Sequence, residues 1–134
     1  MPLLPLRLHP GDDLRRALEA AVAAQGVQAA FVLSGIGSLR PACLRLAGAG
    51  QTVELAGDTE LLTLAGSIGP GVSHLHLSVA DAAGRVTAGH AAYGCTVRTT
   101  AELLLALLPG WAFTRETDAQ TGWAELVVRR KDGG

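Results

Sequence analysis

Three histidines, His74, His76 and His90, are the residues here whose type and spacing point to chemistry. The first two lie in the alternating run Ser73-His74-Leu75-His76-Leu77-Ser78-Val79-Ala80, a strand pattern. Successive strand side chains point to opposite faces, so His74, His76 and Ser78 share one face. Leu75, Leu77 and Val79 share the other, which is core. The position of His90 depends on the turn Asp81-Ala82-Ala83-Gly84. A three-residue loop ending in left-handed Gly84 closes Asp81 on Arg85, sets Ser78 opposite Ala88 and brings His90 opposite His76. A two-residue loop would slip the register by one and send His90 to the other face. In the first register opposed β-carbons lie ~4.5–5.5 Å apart, and His74 is diagonal to His90 within side-chain reach. Neutral imidazole nitrogens at ~2.0–2.1 Å suit zinc, nickel, copper or iron, and a three-histidine site keeps one position open for water or ligand. A divalent metal, zinc before the others, is the expected cofactor. The plainer alternative is the polar face of a half-buried sheet, whose crowded imidazoles lose charge together near neutral pH.

The elements that must position these rings are mostly strands: Ala29–Ser34, Ala42–Ala47, Thr52–Ala56, Glu60–Leu64, Val72–Ala80, Arg85–Tyr93 and Trp123–Arg130. Two helices are predicted. The first runs over Asp13–Gln25, with Leu14, Ala17, Leu18, Ala21 and Val22 on one stripe, Asp12 or Asp13 as cap and Gly26 as the C′ residue. The second runs over Thr100–Leu108, with Thr99 and Glu102 at capping-box spacing and Pro109-Gly110 as the stop. At least five strands between the helices, with no helical crossover, give an α+β domain, an antiparallel sheet with two helices packed on it. One domain over residues 1–130, with Lys131–Gly134 as a flexible tail, accounts for the chain. Exposed sheet edges favour association between copies.

Composition bounds the function. The chain has 134 residues, a net charge of −1, 49% hydrophobic and 17% charged residues, with mean hydropathy +0.30 and pI about 6.4. This excludes a disordered chain and the basic balance, above pI ~9, of a dedicated nucleic-acid binder. Two cysteines, Cys43 and Cys95, make neither a disulfide framework nor a Cys₄ zinc site, and the expected compartment is the reducing cytoplasm. The N-terminus has no basic head before an apolar stretch, and no apolar run approaches the ~18 residues of a membrane span.

Other candidates carry weaker chemistry. Asp81 reads as a turn acceptor and Glu102 as a helix cap, so neither is the general base that a metal-dependent hydrolase would need. Ser34 and Ser67 sit in glycine-rich turns without a Gly-x-Ser-x-Gly frame. Ser34-Gly35-Ile36-Gly37 lacks the Gly-Lys-Ser/Thr of a phosphate loop. His9 reads as a loop residue. The ten arginines are dispersed, with only Arg15-Arg16 and Arg129-Arg130 adjacent, a poor basis for the phosphate neutralisation that DNA binding requires.

The order of motifs nevertheless resembles the PPC (plants and prokaryotes conserved, PCC) domain family over nearly the whole chain. Ser34-Gly35-Ile36-Gly37-Ser38-Leu39, Gly57-Asp58-Thr59-Glu60-Leu61-Leu62-Thr63-Leu64-Ala65-Gly66-Ser67, His74-Leu75-His76, Gly89-His90 and Val97-Arg98-Thr99-Thr100-Ala101-Glu102 carry the likeness. The resemblance implies an α+β fold assembled as a homotrimer, in a family whose prokaryotic members are commonly described as predicted DNA-binding proteins. It also implies metal binding by some members through the histidines matching His74, His76 and His90, and protein partners for the plant members. The Arg-Gly-Arg-Pro AT-hook of plant members is absent, and Asp58 and Thr59 stand where their Gly-Arg-Phe-Glu-Ile-Leu segment has Arg and Phe.

Overall fold

A computed structural model of the protein describes residues 2–132. In chain order, the elements among these residues are β1 (Leu3–Leu8), α1 (Leu14–Ala24), β2 (Ala30–Leu39), β3 (Ala42–Arg45), β4 (Val53–Leu55), β5 (Thr59–Gly69), β6 (Val72–Asp81), β7 (Val86–Ala91), β8 (Val97–Leu107), β9 (Trp111–Thr117) and β10 (Ala124–Arg130). Eight strands form one sheet in the order β1-β8-β2-β5-β6-β7-β3-β4, all neighbours antiparallel, and β9 and β10 form a separate hairpin. The expected α+β antiparallel sheet is present. It carries one helix, not two.

α1 follows from its sequence. The Asp13 side chain accepts from the Arg16 amide at the N-terminus, and Gly26 takes a left-handed φ of +70° just past the end. Leu14, Leu18 and Val22 are buried along one stripe against the sheet. Full burial of each leucine contributes about 1.5–3 kcal/mol.

The helix expected over Thr100–Leu108 is instead the body of β8, a central strand paired with β1 on one side and β2 on the other. Leucine and alanine favour helix locally, but a short apolar run reads equally as a buried strand, and the pairing on both sides decides. Ala101, Leu103 and Leu105 are buried while Glu102 is exposed, the period-two signature. Thr99 therefore caps nothing; its hydroxyl pairs with Ser38 Oγ at 2.6 Å. Two strands lie outside the sequence reading. Pro5 sits within β1, an edge strand that tolerates its missing amide donor. β9 begins directly after Pro109-Gly110 and pairs with β10, the expected C-terminal strand. The Lys131 amide still donates to the Gly110 carbonyl at 2.9 Å, so the hairpin's bonding extends into the segment expected as tail, while Gly133 and Gly134 lie outside the described residues.

β5 runs on to Gly69, five residues past its expected end at Leu64, and this extension supports the histidine strand: Ser67 pairs with His74, Gly66 with Leu75 and Ala65 with His76. A Cβ at Gly66 would fall on the His74 carbonyl oxygen and within 2.8 Å of Leu75 Cα, both backbone atoms, at a φ of +152°. Gly66→Ala is therefore expected to destabilise the chain by about 1–3 kcal/mol, the range for overpacking a closed site. Urea unfolding measures this, and an unchanged midpoint would contradict the β5–β6 register.

Candidate metal centre

The β6–β7 hairpin sets the site. Gly84 is left-handed at φ +80°, its amide donates to the Asp81 carbonyl at 2.9 Å, and the Asp81 amide donates to the Arg85 carbonyl at 2.9 Å. Asp81 Oδ1 accepts from the Ala83 and Arg85 amides, both at 2.9 Å, so Asp81 is the turn acceptor read from sequence. The register that results pairs His76 with His90, Ser78 with Ala88 and Val79 with Thr87.

The three imidazoles meet on the sheet face opposite Leu75 and Leu77. One ring nitrogen from each lies within 4.8 Å of the others. His74 and His90 are nearly parallel, their planes 21° apart with centroids 5.4 Å apart, and His76 stands at 85° and 84° to them. His74 Nε2 and His76 Nε2 are 3.2 Å apart. Two nitrogens at ~2.0–2.1 Å from one zinc ion are separated by roughly 2.9 Å at octahedral angles and 3.4 Å at tetrahedral ones, so this pair has ligand spacing. Without an ion, the same contact needs one ring to donate N–H and the other to offer a lone pair.

The surroundings favour the neutral form of His74 and His90. His74 titrates below the ordinary 6.5, chiefly because the packing around it disfavours charge, then through His76 and Arg115. His90 is lowered by burial first, then by Arg45 and His76. Imidazole must be neutral to ligate, so both shifts leave lone pairs open at neutral pH. Three clefts converge on the rings. One of about 440 Å³ reaches Arg15, Ser73 and Tyr93; one of about 630 Å³ reaches Leu33, Leu62 and Ala65; one of about 700 Å³ lies toward the β9–β10 hairpin. His90 borders all three.

The other sequence candidates do structural work. Cys95 is buried, its thiol pushed up to about 11 mainly by desolvation, and it bonds the Cys43 carbonyl. Ser34 and Ser67 lie inside β2 and β5 rather than in turns, and Ser67 Oγ accepts from Arg115 at 2.9 Å. Glu102 faces solvent on β8, on a different strand from all three histidines, and His9 lies in the loop after β1. Asp58 binds Arg40 and Arg98 at 3.0 and 3.3 Å, and buried Thr59 donates to the Leu39 carbonyl, so these two positions hold neighbouring strand ends together. Arg45, Arg115 and Glu125 escaped the sequence reading. Arg45 reaches the site only because β3 pairs with β7, and the other two arrive on the β9–β10 hairpin.

With this architecture and cluster in view, the chain's class is an antiparallel α+β domain bearing a three-histidine site. The family model described as the Plants and Prokaryotes Conserved (PCC) domain matches residues 2–109, and the chain belongs to that family. The bifunctional protein GlmU of two Synechococcus strains is 46% and 47% identical over 129 and 126 residues, 96% and 94% of this chain. The chain spans about a fifth of the length of these relatives, 20% of each. A hypothetical protein from Salmonella cholerae-suis superposes with a TM-score of 0.94 at 38% identity, covering 97% of this chain and 94% of the other. A metal-containing protein from Archaeoglobus fulgidus superposes at 0.81 with 28% identity, covering 95% and 94%. A Bacteroides thetaiotaomicron structure, named as a candidate DNA-binding protein, superposes at 0.83 with 18% identity over 93% and 91%, a likeness of fold alone.

Because His74 and His90 titrate below 6.5 when folded, the unfolded chain binds more protons once pH falls under that value. Stability of the metal-free protein therefore declines from about pH 6.5 down through the lowered folded pKa values and levels off below them. Urea midpoints measured between pH 7.5 and 4.5 should show this fall, and replacing both His74 and His90 with Ala should flatten it. A midpoint that rises toward acid would contradict the assignment.

Proposed function

We propose that this PCC chain is a homotrimeric metal-binding module, with a divalent ion, zinc first, held by His74, His76 and His90. The observation that carries the reading is the convergence of three ring nitrogens within 4.8 Å from two paired strands. An all-nitrogen donor set without thiolate or carboxylate suits zinc among the common divalent ions. The name of the Archaeoglobus fulgidus relative, a metal-containing protein, points the same way. Assembly is supported by exposed apolar side chains on the histidine side of the sheet: Leu33 and Leu62, 50% and 44% exposed, line the cleft that His76 borders. Occurrence of the domain within the longer GlmU proteins fits a module that works beside other domains. The free thiols of Cys43 and Cys95 fit a reducing, cytoplasmic setting.

A bound ion of this kind supplies Lewis acidity and lowers the pKa of a water ligand toward ~7. Glu125, which lines the same cleft as His74 and His90, is the carboxylate placed to take a proton there, and this is what a hydrolase-type reading has in its favour. DNA binding draws less support. Arg15, Arg16, Arg40, Arg85, Arg98 and Arg129 are each within 4.0 Å of a carboxylate, so six of the eleven Lys and Arg charges already have partners that compete with DNA phosphates. Among the described residues, no helix is long and apolar enough to cross a membrane.

Titration of metal-free, untagged protein with zinc should give one ion per chain, and His76→Ala should weaken binding by more than ~100-fold, since even outer partners of a ligand are worth ~10–100-fold. Light scattering should give the mass of three chains, falling to one chain when Leu33 and Leu62 are both changed to Asp. Stoichiometry near zero that His76→Ala does not alter would overturn the metal reading, and a monomeric wild type would overturn the assembly.

A further inference from the structure

The 700 Å³ cleft between the Gly48-Ala49-Gly50 turn and the β9–β10 hairpin is lined by more positive than negative side chains. Arg45 and Arg115 line it together with His74 and His90. Arg45 is the direct β3 partner of His90, and Arg115 comes from β9 to donate to Ser67, the β5 partner of His74. The two guanidiniums thus flank the cluster from two different elements. Both are half-buried, and among the described residues neither has a carboxylate within 4.0 Å, unlike six of the other arginines. Arg45 has only the Ala49 carbonyl, at 3.2 Å. Half-buried positive charges without counter-ions are costly, and a divalent ion beside them adds to the repulsion. Glu125 supplies one negative charge against two. The imbalance is relieved by an anion, and guanidinium forks are the side chains best shaped to hold the oxygens of one. The cleft's size falls within the ~300–1,000 Å³ of small-molecule sites. Trp123, 74% exposed on the cleft wall, offers a flat apolar surface to the rest of such a ligand.

We propose that this cleft binds a small oxyanion-bearing ligand, a carboxylate or a phosphate, whose oxygens Arg45 and Arg115 hold beside the three-histidine metal site. The assignment rests on the metal reading above and gives that site a ligand class. It also makes a signed claim. Removing either guanidinium weakens the anion while leaving zinc binding equal or tighter, because the same charge that attracts the anion repels the cation.

The test uses the full chain loaded with one equivalent of zinc, desalted, and titrated calorimetrically with inorganic phosphate and, separately, with oxalate. Wild type should bind at least one of them, and the stronger identifies phosphate or carboxylate as the head group. Arg45→Gln and Arg115→Gln should each weaken that binding by roughly 10-fold or more, as loss of a charged hydrogen bond does, with zinc retained. Arg85→Gln, on the exposed turn, should change nothing. Zinc retained with no anion bound by wild type, or with affinity unchanged in the Arg45→Gln, Arg115→Gln double variant, overturns the anion site and leaves the metal reading standing. Failure of wild type to hold zinc overturns the metal reading itself. Loss of zinc in the glutamine variants would overturn the signed claim, and Arg45→Lys with Arg115→Lys then decides the anion site: weaker anion binding at retained zinc supports the guanidinium fork, and unchanged affinity overturns it.

Discussion

The register of one hairpin brings the three histidines of this protein together. Asp81 gathers two backbone amides with one carboxylate oxygen, and Gly84 adopts the left-handed conformation that lets the chain reverse over three residues. Every pairing from Ala80–Val86 to His76–His90 is counted from that turn. Because side chains alternate with period two, a slip of one residue would move His90 to the face of Leu75 and Leu77 and break the cluster. The leucine face resists such a slip, since Leu75, Leu77 and Val79 are buried in the core beneath α1. Hydrophobic burial on one face thus holds the imidazoles in place on the other.

That other face is built under electrostatic tension. Burial and neighbouring arginines work against protonation of His74 and His90, which frees their nitrogens for a metal, yet the same arginines oppose the arrival of a cation. For the proposed site to fill, coordination by the three imidazole nitrogens must outweigh the screened repulsion from these half-exposed side chains. An anion sharing the cleft removes the remaining conflict. On this account the metal and its ligand are coupled, each making the other's binding more favourable, as linked equilibria require.

How far the site could be read from sequence depended on how local each contact was. His74 and His76 needed only strand alternation, and His90 only a turn of defined length, so all three were legible from one continuous stretch. Asp81 was legible for the same reason. Arg45 was not, because β3 and β7 are far apart in the chain and become neighbours only when the sheet is complete. Arg115 lies on β9, and the run Thr100–Leu108, expected as a helix stopped by Pro109-Gly110, leaves that strand no place. The run is ambiguous in principle, since Ala and Leu favour helix while double-sided pairing in a sheet demands only apolar bulk. The single amphipathic helix, by contrast, announced itself through cap, stripe and terminal glycine together, three independent signals in agreement.

The central claim, that His74, His76 and His90 bind one ion together, is tested most directly by X-ray absorption at the zinc edge on the zinc-loaded, untagged protein. The account requires three imidazole nitrogens at about 2.0–2.1 Å with the outer-ring scattering of histidine, reduced when His90 is replaced by Ala. A spectrum dominated by oxygen or sulfur neighbours, or one unaltered by the loss of His90, would contradict it.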